Sequence, residues 1–176
     1  AARNLSTDDA VRVVVLTGAG GRAFSAGADI KDFPEHRSSM ALARQYAAAF
    51  EGSMDAIEEM SKPVIAMING ICVGGGCEMS MATDIRIASE DSIFGIPVAR
   101  LGILVGFKEM RRLVSLVGPG NASYILLTGK LISSQEAFDM GLVTKVVPSN
   151  SLSDFTYKLA ERLPADASEQ EIEKAV

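Results

Sequence analysis

Two glycine-rich stretches, each preceded by an apolar run, constrain this chain more than any other feature of its sequence. The first stretch covers residues 23–30 and reads AFSAGADI. The second covers residues 69–78 and reads NGICVGGGCE. Because glycine lets a backbone turn sharply and approach a ligand closely, each stretch can present backbone N–H groups after a buried strand. Two such donors converging on one oxygen would form an oxyanion hole, and Glu78 could move a proton beside it.

Length and composition favour one globular domain with a substantial core. The chain has 176 residues, of which 48% are hydrophobic and 22% charged. No apolar run reaches the length of a membrane span, and the first residues do not form a signal peptide. The net charge of −5 disfavours nonspecific binding to nucleic acid or anionic membranes. We therefore expect that the protein binds neither nucleic acid nor a membrane. We expect it in the cytoplasm or, in a eukaryote, in the mitochondrial matrix.

The cysteines and the single histidine do not indicate a metal or triad site. Cys72 and Cys77 flank the glycine turn at 74–76, without the further Cys or His residues that a metal site needs. We predict two small buried thiols and no metal. His36 lies in a polar stretch, so we predict a solvated loop residue rather than a member of a Ser-His-Asp triad.

Apolar runs and helical periodicities alternate along the chain, which predicts an α/β fold. Strands are predicted at residues 12–17 with both faces buried, at 64–68, around 85–87 with one polar face, at 93–95 and at 142–147. Helices are predicted at residues 38–60, 77–82, 107–116, 122–127, 133–141 with a capping box of Ser133 and Glu136, and from 151 towards 163.

Residues 18–23 read GAGGRA and match the dinucleotide-binding pattern G-x-G-x-x-A. That pattern requires a helix to start within the turn, so that its N-terminus faces a pyrophosphate. Here FSAG follows, with another glycine and no helical periodicity. We therefore reject the dinucleotide interpretation.

The two glycine stretches together resemble the signature segments of the crotonase superfamily, the enoyl-CoA hydratase/isomerase family. Further segments match in order and spacing: FGIP at 94–97, LG at 101–102, LTG at 127–129 and AFDMGLV at 137–143. The resemblance implies a spiral of β-β-α units that binds an acyl-CoA thioester. It implies a core at residues 1–148, without the family's earlier strands, and at 149–176 the start of a C-terminal helical region that is partly absent.

The resemblance also implies roles for individual residues. The backbone N–H groups of Ala28 and Gly75 would bind the thioester oxygen, and Glu78 would be the catalytic acid and base. The residues expected to bind substrate are Ala26, Gly27, Asp29, Ile30, Gly74, Val98 and Phe107. For Asp29 the sequence also allows a role in holding its turn through local hydrogen bonds. Coenzyme A is part of the substrate, so no separate cofactor is expected. The usual oligomeric state of the family predicts a homotrimer or hexamer.

Two departures from the family pattern bear on the reaction. Val98 stands where family hydratases commonly carry a second glutamate. A single carboxylate suits double-bond isomerisation, whereas hydration is the family's commonest activity. The segment GFKEM at 106–110 replaces small residues, so Phe107 is expected to reshape the acyl pocket. Glu109 is either a replacement acid or, as its position favours, a charge that complements the dipole of its helix. A non-catalytic binding or assembly module is the alternative from another class.

Overall fold

The computed structural model describes residues 1–163, and residues 164–176 of the predicted C-terminal region lie outside the described residues. The strands are β1 (Val14–Thr17), β2 (Ala23–Ser25), β3 (Val64–Ile68), β4 (Ile71–Val73), β5 (Ile85–Ser89), β6 (Ile93–Gly95), β7 (Ile132–Ser133) and β8 (Lys145–Val147). The helices are α1 (Ala2–Ser6), α2 (Phe33–His36), α3 (Met40–Glu58), α4 (Gly75–Met81), α5 (Val98–Leu101), α6 (Phe107–Thr128), α7 (Ser134–Asp139) and α8 (Leu152–Arg162).

The strands form two four-stranded sheets, in the orders β1-β3-β5-β8 and β2-β4-β6-β7. Only β7 runs antiparallel to its neighbour in the described sheets. Successive strands enter the two sheets in turn before a helix returns the chain, as in β1-β2-α3 and β3-β4-α4. The predicted α/β class and the spiral of β-β-α units are thereby confirmed.

The main core joins strands of both sheets to α4, α6 and α7, with Phe94, Ile96 and Leu113 fully buried. A smaller apolar cluster lies where α8 packs against β3 and β5. Cys72 and Cys77 are buried free thiols, as predicted. The pKa of the Cys77 thiol is raised, mainly by a hydrogen bond with Cys72 and next by burial. The raised pKa keeps the thiol in its neutral form.

The glycine turn at 18–22 leads into strand β2 and not into the helix that the dinucleotide-binding pattern requires. The capping box is also confirmed, since the Ser133 hydroxyl accepts from the Glu136 N–H and the Glu136 carboxylate accepts from the Ser133 N–H. The helices predicted at 107–116 and 122–127 are continuous in α6 except at Gly118, whose φ of 72° breaks the helical path.

Three strand predictions need correction. β1 is half-buried rather than buried, because it pairs only with β3 and lies at the end of its described sheet. β5 has no exposed polar face at Arg86, because this buried guanidinium donates to the carbonyl oxygens of Leu142 and Thr83. β8 begins at Lys145 instead of Leu142, because the N–H groups of Leu142 and Val143 donate to the Ala137 carbonyl and close the end of α7.

The start of α4 packs directly against the end of β2. A Cβ atom added to Gly76 would lie 2.4 Å from the Ser25 carbonyl oxygen, closer than any side chain tolerates. Gly52 has helical neighbours on both sides within α3, but a Cβ added there meets nothing within 4 Å. A side chain is therefore excluded by close contact at Gly76, whereas the structure leaves room for one at Gly52.

We predict opposite stability changes for alanine at these two positions. Gly76→Ala should lower the free energy of unfolding by about 1–3 kcal/mol, because the backbone of Ser25 has to move. Gly52→Ala should raise it by about 0.5–1 kcal/mol, because alanine loses less backbone entropy in a helix. Urea titration measures both values. Equal effects for the two variants would contradict the close contact between α4 and β2.

Candidate active site

A cleft of about 680 Å³ lies at one edge of the second sheet. The neighbouring parallel strands β2, β4 and β6 end there, so the segments that follow them are brought side by side. Helix α3 and the start of α6 supply the other walls. The predicted site residues that line this cleft are Ala26, Gly27, Ala28, Ile30, Gly74, Gly75, Glu78, Val98 and Glu109.

The two predicted backbone donors come together at the wall of the cleft. A Cβ atom added to Gly75 would lie 3.7 Å from the Ala28 nitrogen, and one added to Gly27 would lie 2.9 Å from the Gly75 nitrogen. The neighbouring N–H groups are occupied, since Gly27 donates to the Ser25 hydroxyl at 3.2 Å and Gly74 to a carbonyl at 2.8 Å. Within residues 1–163, neither Ala28 N–H nor Gly75 N–H has a hydrogen-bond acceptor. Both donors are therefore available to a ligand.

Glu78 is positioned by the first turn of α4. Its N–H donates to the Gly74 carbonyl at 3.0 Å, and its side chain lines the cleft while only 8% of the residue is exposed. Burial, and after it the negative charge of Glu109, raises the pKa of Glu78 to about 7. At neutral pH this carboxyl is therefore divided between its ionised and protonated forms, which suits a group that both takes and returns a proton.

Glu109 brings a second carboxyl group to the same cleft from the first turn of α6. The residue is buried, and its Oε1 lies 3.7 Å from Nη1 of Arg112. Its Oε2 lies against the backbone of Gly106, where an added Cβ would approach it to 2.2 Å. The side chain therefore lies at the N-terminus of α6, where its charge complements the helix dipole, and it also lines the cleft.

Two predicted substrate-binding residues lie outside the lining of the cleft. Phe107 is 83% exposed and does not line the cleft, so the described residues do not support the expectation that it shapes the pocket. The reason is helical geometry, because residues two apart in a helix point to opposite sides and Glu109 takes the inner one. Asp29 accepts the Lys31 N–H at 3.0 Å and caps a short 3₁₀ turn, which is the alternative that the sequence allowed.

Sequence reasoning missed the wall that α3 contributes. The helical periodicity of its apolar residues predicts a buried face, yet only Met54 of that helix is buried. Phe50 packs so close to Gly75 that a Cβ added there would lie 3.0 Å from its ring. The signal was the spacing of Ala43, Ala47 and Phe50, which share one face of the helix. The cleft also contains Arg37, Tyr46, Glu51 and Arg100.

Residues 1–163 contain no group of three or more His, Cys, Asp or Glu side chains that could hold a metal ion. None of the described helices is long and apolar enough to cross a membrane.

Comparisons with known proteins agree with this geometry. The family model described as enoyl-CoA hydratase/isomerase matches residues 1–175. The chain is 44% identical to a crotonyl-CoA hydratase of Syntrophomonas wolfei, over 90% of this chain and 60% of that protein. It is 39% identical to a short-chain-enoyl-CoA hydratase of Clostridium acetobutylicum, over 93% and 62%. The chain thus spans less than two thirds of the length of these relatives.

Solved structures give the same result. The fold is similar to a crystal structure of an enoyl-CoA hydratase from Bacillus anthracis, with a TM-score of 0.86 and 39% identity. That match covers 92% of this chain and 62% of the other. A structure from Magnetospirillum magneticum, described as an enoyl-CoA hydratase/carnithine racemase, matches with a TM-score of 0.88 and 33% identity, over 92% and 60%.

The raised pKa of Glu78 predicts how Glu78→Gln changes stability with pH. Between pH 4.5 and about 7 the folded protein keeps a proton on Glu78 that the unfolded chain has released. The free energy of unfolding of the wild type therefore falls through this window, by up to about 3 kcal/mol from this group. Glutamine does not titrate, so the variant should gain stability relative to the wild type over the same window and keep that gain above pH 7.

Thermal or urea unfolding at a series of pH values measures this difference. Glu161→Gln is the matched control, because Glu161 is exposed on α8 and away from the cleft. Its difference from the wild type gives the effect of replacing an exposed glutamate by glutamine. A Glu78→Gln difference that varies with pH no more than this control would show that Glu78 does not titrate in a buried site.

Proposed function

This chain belongs to the enoyl-CoA hydratase/isomerase family, as the resemblance of its glycine stretches predicted, and we propose that it catalyses proton transfers on enoyl-CoA thioesters through an enolate. The observation that carries the proposal is the meeting of the Ala28 and Gly75 N–H groups beside Glu78. The names of its hydratase relatives support the substrate class.

In this mechanism the thioester oxygen accepts hydrogen bonds from Ala28 N–H and Gly75 N–H. Negative charge develops on this oxygen when the α carbon loses a proton or when the β carbon is attacked. Donors fixed by the backbone stabilise that charge without reorganising, and each can lower the barrier by about 3 kcal/mol. The turns that hold both donors are already formed by hydrogen bonds to Ser25 and Gly95.

Glu78 moves the proton at the α carbon. In double-bond isomerisation its ionised form takes a proton from C2 of a 3-enoyl thioester and returns it to C4. In hydration a hydroxyl group adds to C3 of a 2-enoyl thioester and a proton adds to C2. The named relatives support hydration, whereas Val98, an aliphatic side chain in the wall of the cleft, supports isomerisation by Glu78 alone.

The remaining expectations from the sequence enter this proposal. Enolate chemistry requires only the two donors and a carboxylate, so no cofactor is needed beyond the coenzyme A of the substrate. A homotrimer or hexamer is the proposed assembly, supported by the exposed apolar side chains of Leu104, which precedes α6, and of Phe107 and Met110 in its first turn. The relatives include bacterial and mitochondrial enzymes, which supports the cytoplasm or the mitochondrial matrix as the compartment.

A panel of 2-enoyl-CoA and 3-enoyl-CoA esters tests the proposed function. Hydration removes the ultraviolet absorbance of the conjugated thioester, and isomerisation of a 3-enoyl ester creates it. We expect at least one of these changes with the purified protein. If it binds acyl-CoA and produces neither change, the chain is a binding or assembly module and the proposal is wrong.

Glu78→Gln separates catalysis from binding in the same assays. We expect its turnover to fall by about 10²–10⁴-fold, because glutamine cannot take or return the α proton at the position of Glu78 beside the Gly75 donor. Affinity for a saturated acyl-CoA should stay close to that of the wild type, and Glu161→Gln should keep full activity. Normal turnover in Glu78→Gln would remove Glu78 from the mechanism.

A further inference from the structure

Hydration moves two protons, and the described cleft offers two buried carboxyl groups for them. One is Glu78 on α4, and the other is Glu109 on α6. They are near enough for the charge of Glu109 to raise the pKa of Glu78. The remaining ionisable groups in the cleft are Arg37, Tyr46, Glu51 and Arg100.

Glu109 has an acceptor that the protein leaves free. The residue is 3% exposed, and within residues 1–163 its Oε1 has no hydrogen-bond partner. Nη1 of Arg112, at 3.7 Å, is also buried without a partner and is too far away for a hydrogen bond. A buried carboxylate oxygen without a donor is costly unless a ligand or a water molecule supplies one.

Arg112 is itself fixed from the other side by α3. Its Nε donates to Glu58 at 3.0 Å, and its Nη2 donates to Asp55 at 2.9 Å and to Glu58. Lys108 also contacts Asp55, at 2.6 Å. The guanidinium is therefore held by two carboxylates of α3, while its remaining nitrogen faces Glu109. This arrangement places a fixed positive charge beside the free oxygen of Glu109.

We propose that Glu109 is the base that takes a proton from the attacking water in hydration, and that Arg112 is the positioning residue that keeps its carboxylate in place. This inference rests on the proposed function. Glu109 supplies from α6 the second carboxylate that Val98 does not provide. The two acid–base roles then belong to two helices, with Glu78 on α4 and Glu109 on α6.

The water oxygen forms a bond to C3 as Glu109 takes one of its protons, and the electrons of the double bond move onto the thioester oxygen. Glu78 in its protonated form then donates its proton to C2, and the enolate collapses to the 3-hydroxyacyl thioester. Glu109 ends protonated and Glu78 ionised, and proton exchange with solvent restores both.

Two reactions of one variant test this assignment. Exchange of the α hydrogen of a saturated acyl-CoA with D₂O needs only the oxyanion hole and Glu78, whereas hydration also needs the water-activating base. Glu109→Gln should therefore lose hydration by about 10²–10⁴-fold. It should keep α-hydrogen exchange, measured by mass spectrometry above pH 7, close to the wild-type rate. Glu59→Gln, an exposed change at the end of α3, is the matched control and should alter neither reaction.

The outcomes distinguish this inference from the proposed function. Wild-type hydration by Glu109→Gln, or an equal loss of both reactions, would overturn the assignment of Glu109 and leave the role of Glu78 standing. A wild-type protein that exchanges the α hydrogen but never hydrates a 2-enoyl thioester would also overturn the assignment of Glu109. Isomerisation by Glu78 would then be the remaining form of the proposed function. A wild-type protein inactive in both reactions would overturn the proposed function together with the inference.

Arg112 is tested by its conservative and its neutral replacement. Arg112→Gln should lower the kcat of hydration with little change in the KM for the enoyl thioester, and should leave α-hydrogen exchange in place. Arg112→Lys keeps a positive charge and should recover part of the hydration rate. If both variants lose hydration and exchange to the same extent, Arg112 supports only the fold.

Discussion

The contact between the start of α4 and the turn after β2 is the one on which the cleft depends. β2 and β4 are neighbouring parallel strands, so their ends lie at the same edge of the sheet. The backbones there approach so closely that Gly27 and Gly76 leave no room for a side chain. This approach brings Ala28 N–H and Gly75 N–H to one place. Every chemical role proposed for the cleft requires that meeting of two backbone donors.

The cleft also carries an electrostatic cost. Two buried carboxyl groups repel each other when both are ionised, and burial alone disfavours the charge on Glu78. The fold offsets part of this cost through Arg112, which faces Glu109 on one side and the acidic residues of α3 on the other. Helix α3 therefore serves the cleft twice, with the apolar wall at Phe50 and with the ionic contacts at Asp55 and Glu58.

The sequence predicted features that depend on local chemistry. The sequence predicts three such features, because each follows from neighbouring residues. They are the alternation of strands and helices, the capping box at Ser133 and the two glycine stretches. The features it missed depend on tertiary neighbours. The burial of Arg86 is set by carbonyl groups distant in the sequence, such as that of Leu142. The inward direction of Glu109 and the outward direction of Phe107 depend on how α6 is rotated against the cleft, which the sequence pattern of a single helix leaves open.

A crystal structure with a bound saturated acyl-CoA thioester, which cannot be hydrated or isomerised, tests the central claim most directly. Our account predicts the thioester oxygen at about 3 Å from both the Ala28 and the Gly75 nitrogen atoms. It also predicts the α carbon facing the carboxyl group of Glu78. A thioester oxygen bound elsewhere in the cleft, so that the Ala28 N–H or the Gly75 N–H does not donate to it, would contradict the account.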